Sequence, residues 1–183
     1  VLGNHPTWDI ILSTYGTELT ESLSSDARNI LRSREFQDVF LETYVDDRSS
    51  ARKHWTIKYK RGGMLAVSVD AGVTGHGAKV LVIDDPIKGR REAESETTRK
   101  TVWESITNNL MTRLAPAHLV IIMGTRWHLD DPIGRVIQRM DDDPKFPRFE
   151  HIHFPARTGE PGNYKYLFTE DEHGGPGRFD SLW

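Results

Sequence analysis

Two stretches of the chain carry apolar residues without a break and then turn abruptly polar. Residues 80–83 read Val-Leu-Val-Ile and run into Asp84-Asp85-Pro86. Residues 119–123 read Leu-Val-Ile-Ile-Met and leave through Gly124-Thr125-Arg126-Trp127-His128. Continuous apolar runs of this length, without alternation, predict strands buried on both faces in the middle of a parallel sheet. Between them, residues 95–114 step Val102, Ile106, Leu110 and Leu114 by four, with Trp103 alongside, and predict the longest helix. Ser95 or Thr97 is placed to cap its start and Pro116 to end it. A helix of crossover length between two buried strands predicts that they lie side by side and parallel.

The rest of the pattern builds around this unit. Residues 8–15 predict a first strand, and 17–33 a helix with Thr17 as N-cap and Leu19, Leu23, Ala27, Ile30 and Leu31 on its buried face. A short apolar patch follows at Phe36, Val39, Phe40 and Leu41. Residues 55–60 alternate, with Trp55, Ile57 and Tyr59 on one side and Thr56, Lys58 and Lys60 on the other. Arg61-Gly62-Gly63 turns the chain, and Leu65, Val67 and Val69 share a face on the way back, which predicts a hairpin. Residues 71–78 form a glycine-rich loop just before the acidic strand. Asp130 and Asp131 precede a shorter helix carrying Ile133, Val136 and Ile137, and residues 150–154 alternate as a fifth strand. The expected fold class is α/β: a mainly parallel central sheet flanked by helices, with a β-hairpin insertion, over residues 1–155. Residues 156–183, with Pro161, Pro176 and several glycines, are expected to be a linker or irregular edge.

Composition narrows the setting. Hydrophobic residues make up 37% of the chain and mean hydropathy is −0.56, with no run of 18 apolar residues to span a membrane. No charged segment followed by an apolar one marks a signal peptide at the start. A net charge of −3 argues against a strongly basic nucleic-acid sleeve but leaves room for a local basic patch. With no cysteine, disulfides, thiolate nucleophiles and zinc–thiolate sites are excluded. Val1 to Pro6 reads as the exit of a helix, and Arg178 to Trp183 as a segment cut short. The expectation is an excised piece of a longer protein.

The chemistry of interest lies where the two apolar runs end. Ligands in open α/β sheets bind at the carboxyl ends of strands. An acid there can hold the water shell of Mg²⁺, and a second acid can polarise an attacking water. The hydroxyl of Thr125 and the guanidinium of Arg126, at the tip of the other strand, are placed to sense a phosphate. An apolar strand ending in Asp-Asp-Pro is also an ordinary exit into a turn, and the second tip is also readable as a packed Trp127 beside a solvated Arg126. Other clusters read more blandly. His151 and His153 share one side of the predicted strand but lack cysteine support for a metal, and Asp141-Asp142-Asp143 suits a solvated helix end. Lys58, Lys60 and Arg61 with Tyr59 are placed either to touch DNA phosphates or simply to face water. Lys88, Arg90 and Arg91 follow the acidic strand, as a surface loop or as groups meeting a nucleotide or a neighbour.

Taken together, several of these motifs resemble the large terminase subunits of tailed bacteriophages and prophages. The resemblance rests on Gly75-His76-Gly77 through Lys88, on Arg91-Glu92-Ala93-Glu94-Ser95-Glu96, on Thr112 to Pro116, and on Met123 to His128 followed by Asp130-Asp131. Leu2 to Pro6 and Ile10 to Tyr15 fit the earlier part, so that it runs from about residue 2 to 155. It implies a P-loop NTPase-like sheet of the additional-strand type, the ATPase half of a motor that drives viral DNA into a prohead. The family's full chain adds a C-terminal nuclease domain. Carried over by position, Asp84 matches the Walker B acid that holds Mg²⁺ through water and so serves ATP binding. Asp85, Thr125 and Arg126 match the catalytic positions: Asp85 orients water, Thr125 stands in the coupling motif, and Arg126 follows it. The implied cofactors are ATP and Mg²⁺. The implied partners are double-stranded DNA, a portal protein, a small terminase subunit and further copies in a ring, in the cytoplasm of a bacterial host and with no membrane.

Three departures from the family pattern stand out. No Gly-x-x-x-x-Gly-Lys-Ser/Thr phosphate loop occurs, and the strand that bears it is expected upstream of residue 1. The second acid is Asp85 where most packaging ATPases carry Glu. His76 stands where this branch carries Arg, leaving Arg99, Arg113 and Arg126 as candidates for an arginine finger. The competing readings are another P-loop DNA translocase or helicase, and a degenerate prophage-derived interaction module without catalysis.

Overall fold

The continuous and alternating strands come together in one mixed sheet of six strands, in the order β2-β3-β4-β1-β5-β6. A computed structural model describes residues 1–154 together with the short strands β7 (Arg157–Thr158) and β8 (Lys165–Tyr166). The chain divides into two compact units, Val1–Phe146 and Pro147–Trp183. The first holds β1 (Asp9–Thr14), α1 (Thr17–Arg32), α2 (Arg34–Val39), β2 (Val45–Ser50), β3 (His54–Ile57), β4 (Gly63–Ser68) and β5 (Ala78–Asp84). It continues with α3 (Arg90–Ala93), α4 (Glu96–Ser105), β6 (Leu114–Met123) and α5 (Pro132–Asp142). Among the described residues no helix is long and apolar enough to cross a membrane.

The expected pairing of the two apolar runs is present. β5 lies between β1 and β6 and is parallel to both, with Val80 opposite Leu119 and Asp84 opposite Met123. β1 is also parallel to β4, whereas β3 runs antiparallel to β4 and to β2. The sheet is therefore mixed rather than mainly parallel throughout. The hairpin is not a separate insertion, because its second arm, β4, is itself a strand of the parallel part.

Each face of the sheet carries its own core. On one, Ile11, Val67, Leu81 and Ile83 pack against Val102, Ile106 and Leu110. On the other, Ile10, Val80, Trp55 and Ile57 pack against Leu31 of α1. The buried face of α1 differs from the expected one. Thr20 and Ser24 are fully buried with Leu31, while Ile30 is exposed. The reason lies in the sheet beneath, which presents polar groups needing partners. The Thr14 and Thr20 hydroxyls meet at 2.8 Å, and the indole N–H of Trp55 donates to Ser24 Oγ at 3.0 Å. Gly16, not Thr17, holds the N-cap position.

The long helix is capped by Ser95, whose hydroxyl accepts from the Thr98 N–H. It then changes pitch, passing through a π turn at Ile106–Leu110 and a 3-10 turn at Met111–Arg113. The wide turn keeps both Ile106 and Leu110 wholly buried. The helical residues stop at Arg113, before Pro116, and Leu114 already pairs with Ala78 as the first residue of β6. Between that pair and Val80–Leu119 the register shifts, and β6 arches outward with Ala117 at φ +54°.

Three further expectations are corrected. Residues 119–123 are not buried on both faces: β6 is an edge strand, and Leu119, Ile121 and Met123 are exposed to 45%, 39% and 45%. β3 ends at Ile57, so Tyr59 leaves the Trp55–Ile57 face for the turn, at φ +59°. Residues 150–154 form no strand, and Ile152 and Phe154 are exposed, because alternation without a strand to pair with gives no ladder. In the second unit β7 and β8 pair antiparallel, and the remainder of 155–183 lies outside the described residues.

Candidate functional site

The parallel strands β4, β1, β5 and β6 all end at one rim of the sheet, and the acidic pair stands at its middle. Asp84 closes β5 opposite Met123. Asp85 is held from two sides, its N–H donating to the Met123 carbonyl at 3.0 Å and its carbonyl accepting from the Tyr15 N–H at 3.1 Å. Its backbone is left-handed at φ +42°, a conformation that Asp and Asn adopt more readily than other side chains. That turn sends the carboxylate towards β6, where Oδ1 accepts from the Thr125 N–H at 3.2 Å. The structure thus brings Asp84, Asp85 and Thr125 together, as the two polar strand ends suggested.

Gly124 allows this approach. A Cβ there would stand 3.0 Å from Asp85 Oδ1, on a backbone at φ +157° that L side chains rarely adopt. Gly124→Ala is therefore expected to push the carboxylate off the Thr125 N–H and to destabilise the chain by about 1 kcal/mol, read by urea denaturation. Beside Asp85 lies a cavity of about 10 Å³, lined also by Ile87, Trp127 and Ile133, with room for about one water.

Electrostatics single out Asp84. Burial, and after it the charge of Asp85, holds the Asp84 carboxyl above its ordinary pKa of 3.8. Ionised Asp84 thus gains from a nearby cation. Among the described residues no group of three or more His, Cys, Asp or Glu side chains could enclose a metal. One or two carboxylates suit Mg²⁺, which keeps most of its waters and takes the rest of its shell from substrate phosphates.

Arg126, expected to be free for phosphate, is engaged by a carboxylate that lines the same small cavity as Asp85. Its guanidinium meets the Asp131 carboxylate at 2.9 Å and the Leu129 carbonyl at 3.2 Å. Asp131 is buried and caps α5, accepting from the Gly134 N–H at 2.8 Å. Arg99 is buried as well, donating to Asp130 at 3.0 Å and to the Ala93 carbonyl at 2.6 Å. Arg135 grips the same Asp130 at 2.7 Å, and these two cations, Arg135 first, hold that carboxyl down at about 2. Arg113 and His76 lie at the opposite end of the sheet, next to the start of β5. Sequence reasoning missed this clamp. Its one visible signal was Asp131 before Pro132, an N-cap followed by proline at the first helical position. Lys88 does stand by the rim, its ammonium 5.9 Å from the Tyr15 ring. His151 and His153 stack at 6.1 Å, with no third ligand among the described residues, and Asp143 caps the end of α5.

No protein-family model matches the chain, and no curated protein matches it.

Proposed function

We propose that this chain is the nucleotide-hydrolysing part of a DNA-packaging motor of the large-terminase kind. In this reading Asp84 holds Mg²⁺ through water, Asp85 orients the water that attacks the γ-phosphate of ATP, and Thr125 relays the phosphate state to β6. The observation that carries it is the bond from the Thr125 N–H to Asp85 Oδ1. It joins the polar ends of two adjacent parallel strands at the rim where this fold class takes its ligands.

The open edge of β6 supports the same reading. Among the described residues it offers unpaired backbone groups beside an uncovered apolar face, the surface that a further strand needs. A strand bearing a phosphate loop, laid along β6, would bring its loop to the same rim as Asp84 and Asp85. The additional-strand P-loop fold is thus part of the proposal. So are a ring of copies, the portal and small-subunit partners, duplex DNA and a bacterial cytoplasm, which follow from the resemblance.

The small cavity beside Asp85 and the absence of a Gly-Lys-Ser/Thr loop from residues 1–183 favour a second reading, a non-catalytic interaction module. One experiment separates the two. Phosphate release and calorimetric titration are measured on residues 1–183 and on a chain that also carries a phosphate-loop strand. Residues 1–183 alone are expected to show no hydrolysis above background and weak ATP binding, because backbone amides and a lysine must cradle the phosphates. The longer chain is expected to bind Mg-ATP. Its failure to bind would favour the interaction module, and turnover by residues 1–183 alone would place the nucleotide elsewhere.

A further inference from the structure

The turn between β3 and β4 pushes four consecutive side chains into water. Lys58, Tyr59, Lys60 and Arg61 are all exposed, Tyr59 to 85%. The Lys58 ammonium stands 5.1 Å from the centroid of the Tyr59 ring. Tyr59 holds the left-handed backbone at φ +59°, which glycine would adopt at lower cost. A large aromatic ring is therefore kept, at a conformational cost, where it buries nothing. Such strain in an exposed turn points to a use for the side chain.

The stem of this turn is rigid. The Ile57 N–H donates to the Gly62 carbonyl at 2.8 Å, the Lys58 N–H to Tyr44 at 2.7 Å, and the Gly63 N–H to Trp8 at 3.1 Å. A Cβ at Gly62 would fall 2.4 Å from the Pro6 carbonyl oxygen, and one at Gly63 2.3 Å from that of Trp55. Backbone packs on backbone there, so the tip is presented on a fixed base. Cations also prevail around it. Glu42 approaches Lys60 at 3.9 Å, and Asp46, which lies near Lys58, is engaged by Arg48 at 3.4 Å. Asp47 is held by Arg32 at 2.9 Å.

We propose that this tip binds the phosphodiester backbone of duplex DNA, with Lys58, Lys60 and Arg61 on successive phosphates and Tyr59 fixing Lys58 beside them. A single aromatic ring is no platform for successive unpaired bases, so a duplex backbone fits better than a single strand. Gly63 pairs with Asp9 at the start of β1, so the tip sits at the end of the sheet opposite Asp84 and Asp85. The inference therefore stands apart from the nucleotide reading, and either can fail alone.

The test is fluorescence anisotropy of a labelled duplex of about 20 base pairs, titrated with the 183-residue chain over a range of KCl and without nucleotide. Three phosphate contacts predict a contribution of about −2.7 to the slope of log affinity against log salt. The triple variant Lys58→Ala, Lys60→Ala, Arg61→Ala should flatten the slope by about that amount and weaken binding about tenfold or more at low salt. Tyr59→Gly should raise thermal stability while weakening binding about two- to threefold. Circular dichroism melting checks that each variant folds. Absence of duplex binding by the unaltered chain, or equal slope and affinity in the triple variant, would overturn the proposal. Tighter binding to a single strand of the same length, lost with Tyr59→Gly alone, would also overturn it and point to base stacking.

Discussion

In the proposed nucleotide-hydrolysing reading, replacing Asp85 with Asn is expected to lower ATP hydrolysis about 10²–10⁴-fold while leaving Mg-ATP binding nearly unchanged, in a chain that carries a phosphate-loop strand. The substitution suits this site. Asn tolerates the left-handed backbone at φ +42° as well as Asp does, and its amide oxygen can still accept from the Thr125 N–H. What it loses is the negative charge to which the proposal gives the task of polarising water. The backbone at this position also favours Asp over Glu. Glu is less at home at positive φ, and its extra methylene would carry the carboxylate past the Thr125 N–H. Single-turnover phosphate release beside equilibrium nucleotide binding checks this. Near-normal hydrolysis by Asp85→Asn would assign the base to another group.

The second large effect concerns folding. Asp130→Ala should destabilise the chain by about 2–3 kcal/mol, because it leaves Arg99, 7% exposed, without its carboxylate. The pH dependence follows from the same cluster. Asp130 has its folded pKa depressed to about 2 from an ordinary 3.8. Its stabilisation is therefore complete above pH 4 and is lost as pH falls towards 2. Full shielding would make that shift worth about 2 kcal/mol. With the side chain 39% exposed, about half is expected. Urea denaturation of both proteins at pH 7 and at steps from pH 5 to 2 measures it. The gap between them should narrow as acid is added, and a constant gap would show that the carboxylate charge is not what stabilises.

Much of this arrangement was legible in the order of residues, and the exceptions have physical causes. The parallel pair 80–84 and 119–123 followed from apolar runs separated by a crossover helix, and its polar ends converge because the strands run the same way. The Trp55 hairpin was legible only in part: alternation and the glycines announced two arms, but the turn already opens at Lys58, so Trp55 faces Met64 and Gly63 pairs with Thr56 inside the strand. The face of α1 was not. Periodicity counts apolar residues, whereas Thr20 and Ser24 are buried to satisfy Thr14 and the Trp55 indole. The exposure of β6 was hidden as well, because a buried run and an edge run look alike until neighbouring strands are known. The fate of Arg126 depended on Asp131, five residues on, and no local pattern marks that contact. The strand expected at 150–154 failed because alternation states a preference without supplying a partner.

The slack between β5 and β6 gives the molecule a tolerance that its tight pairings do not have. One residue, Lys79, separates Ala78 from Val80, whereas four, 115–118, separate Leu114 from Leu119. A strand in a sheet ordinarily cannot gain or lose a single residue without turning all its side chains over. Here an insertion or deletion would enlarge or shrink the arch and leave Leu119 opposite Val80. Homologous chains can thus differ in length at this point and still set Thr125 against Asp85, so a length polymorphism at 115–118 would say nothing about the chemistry at the rim.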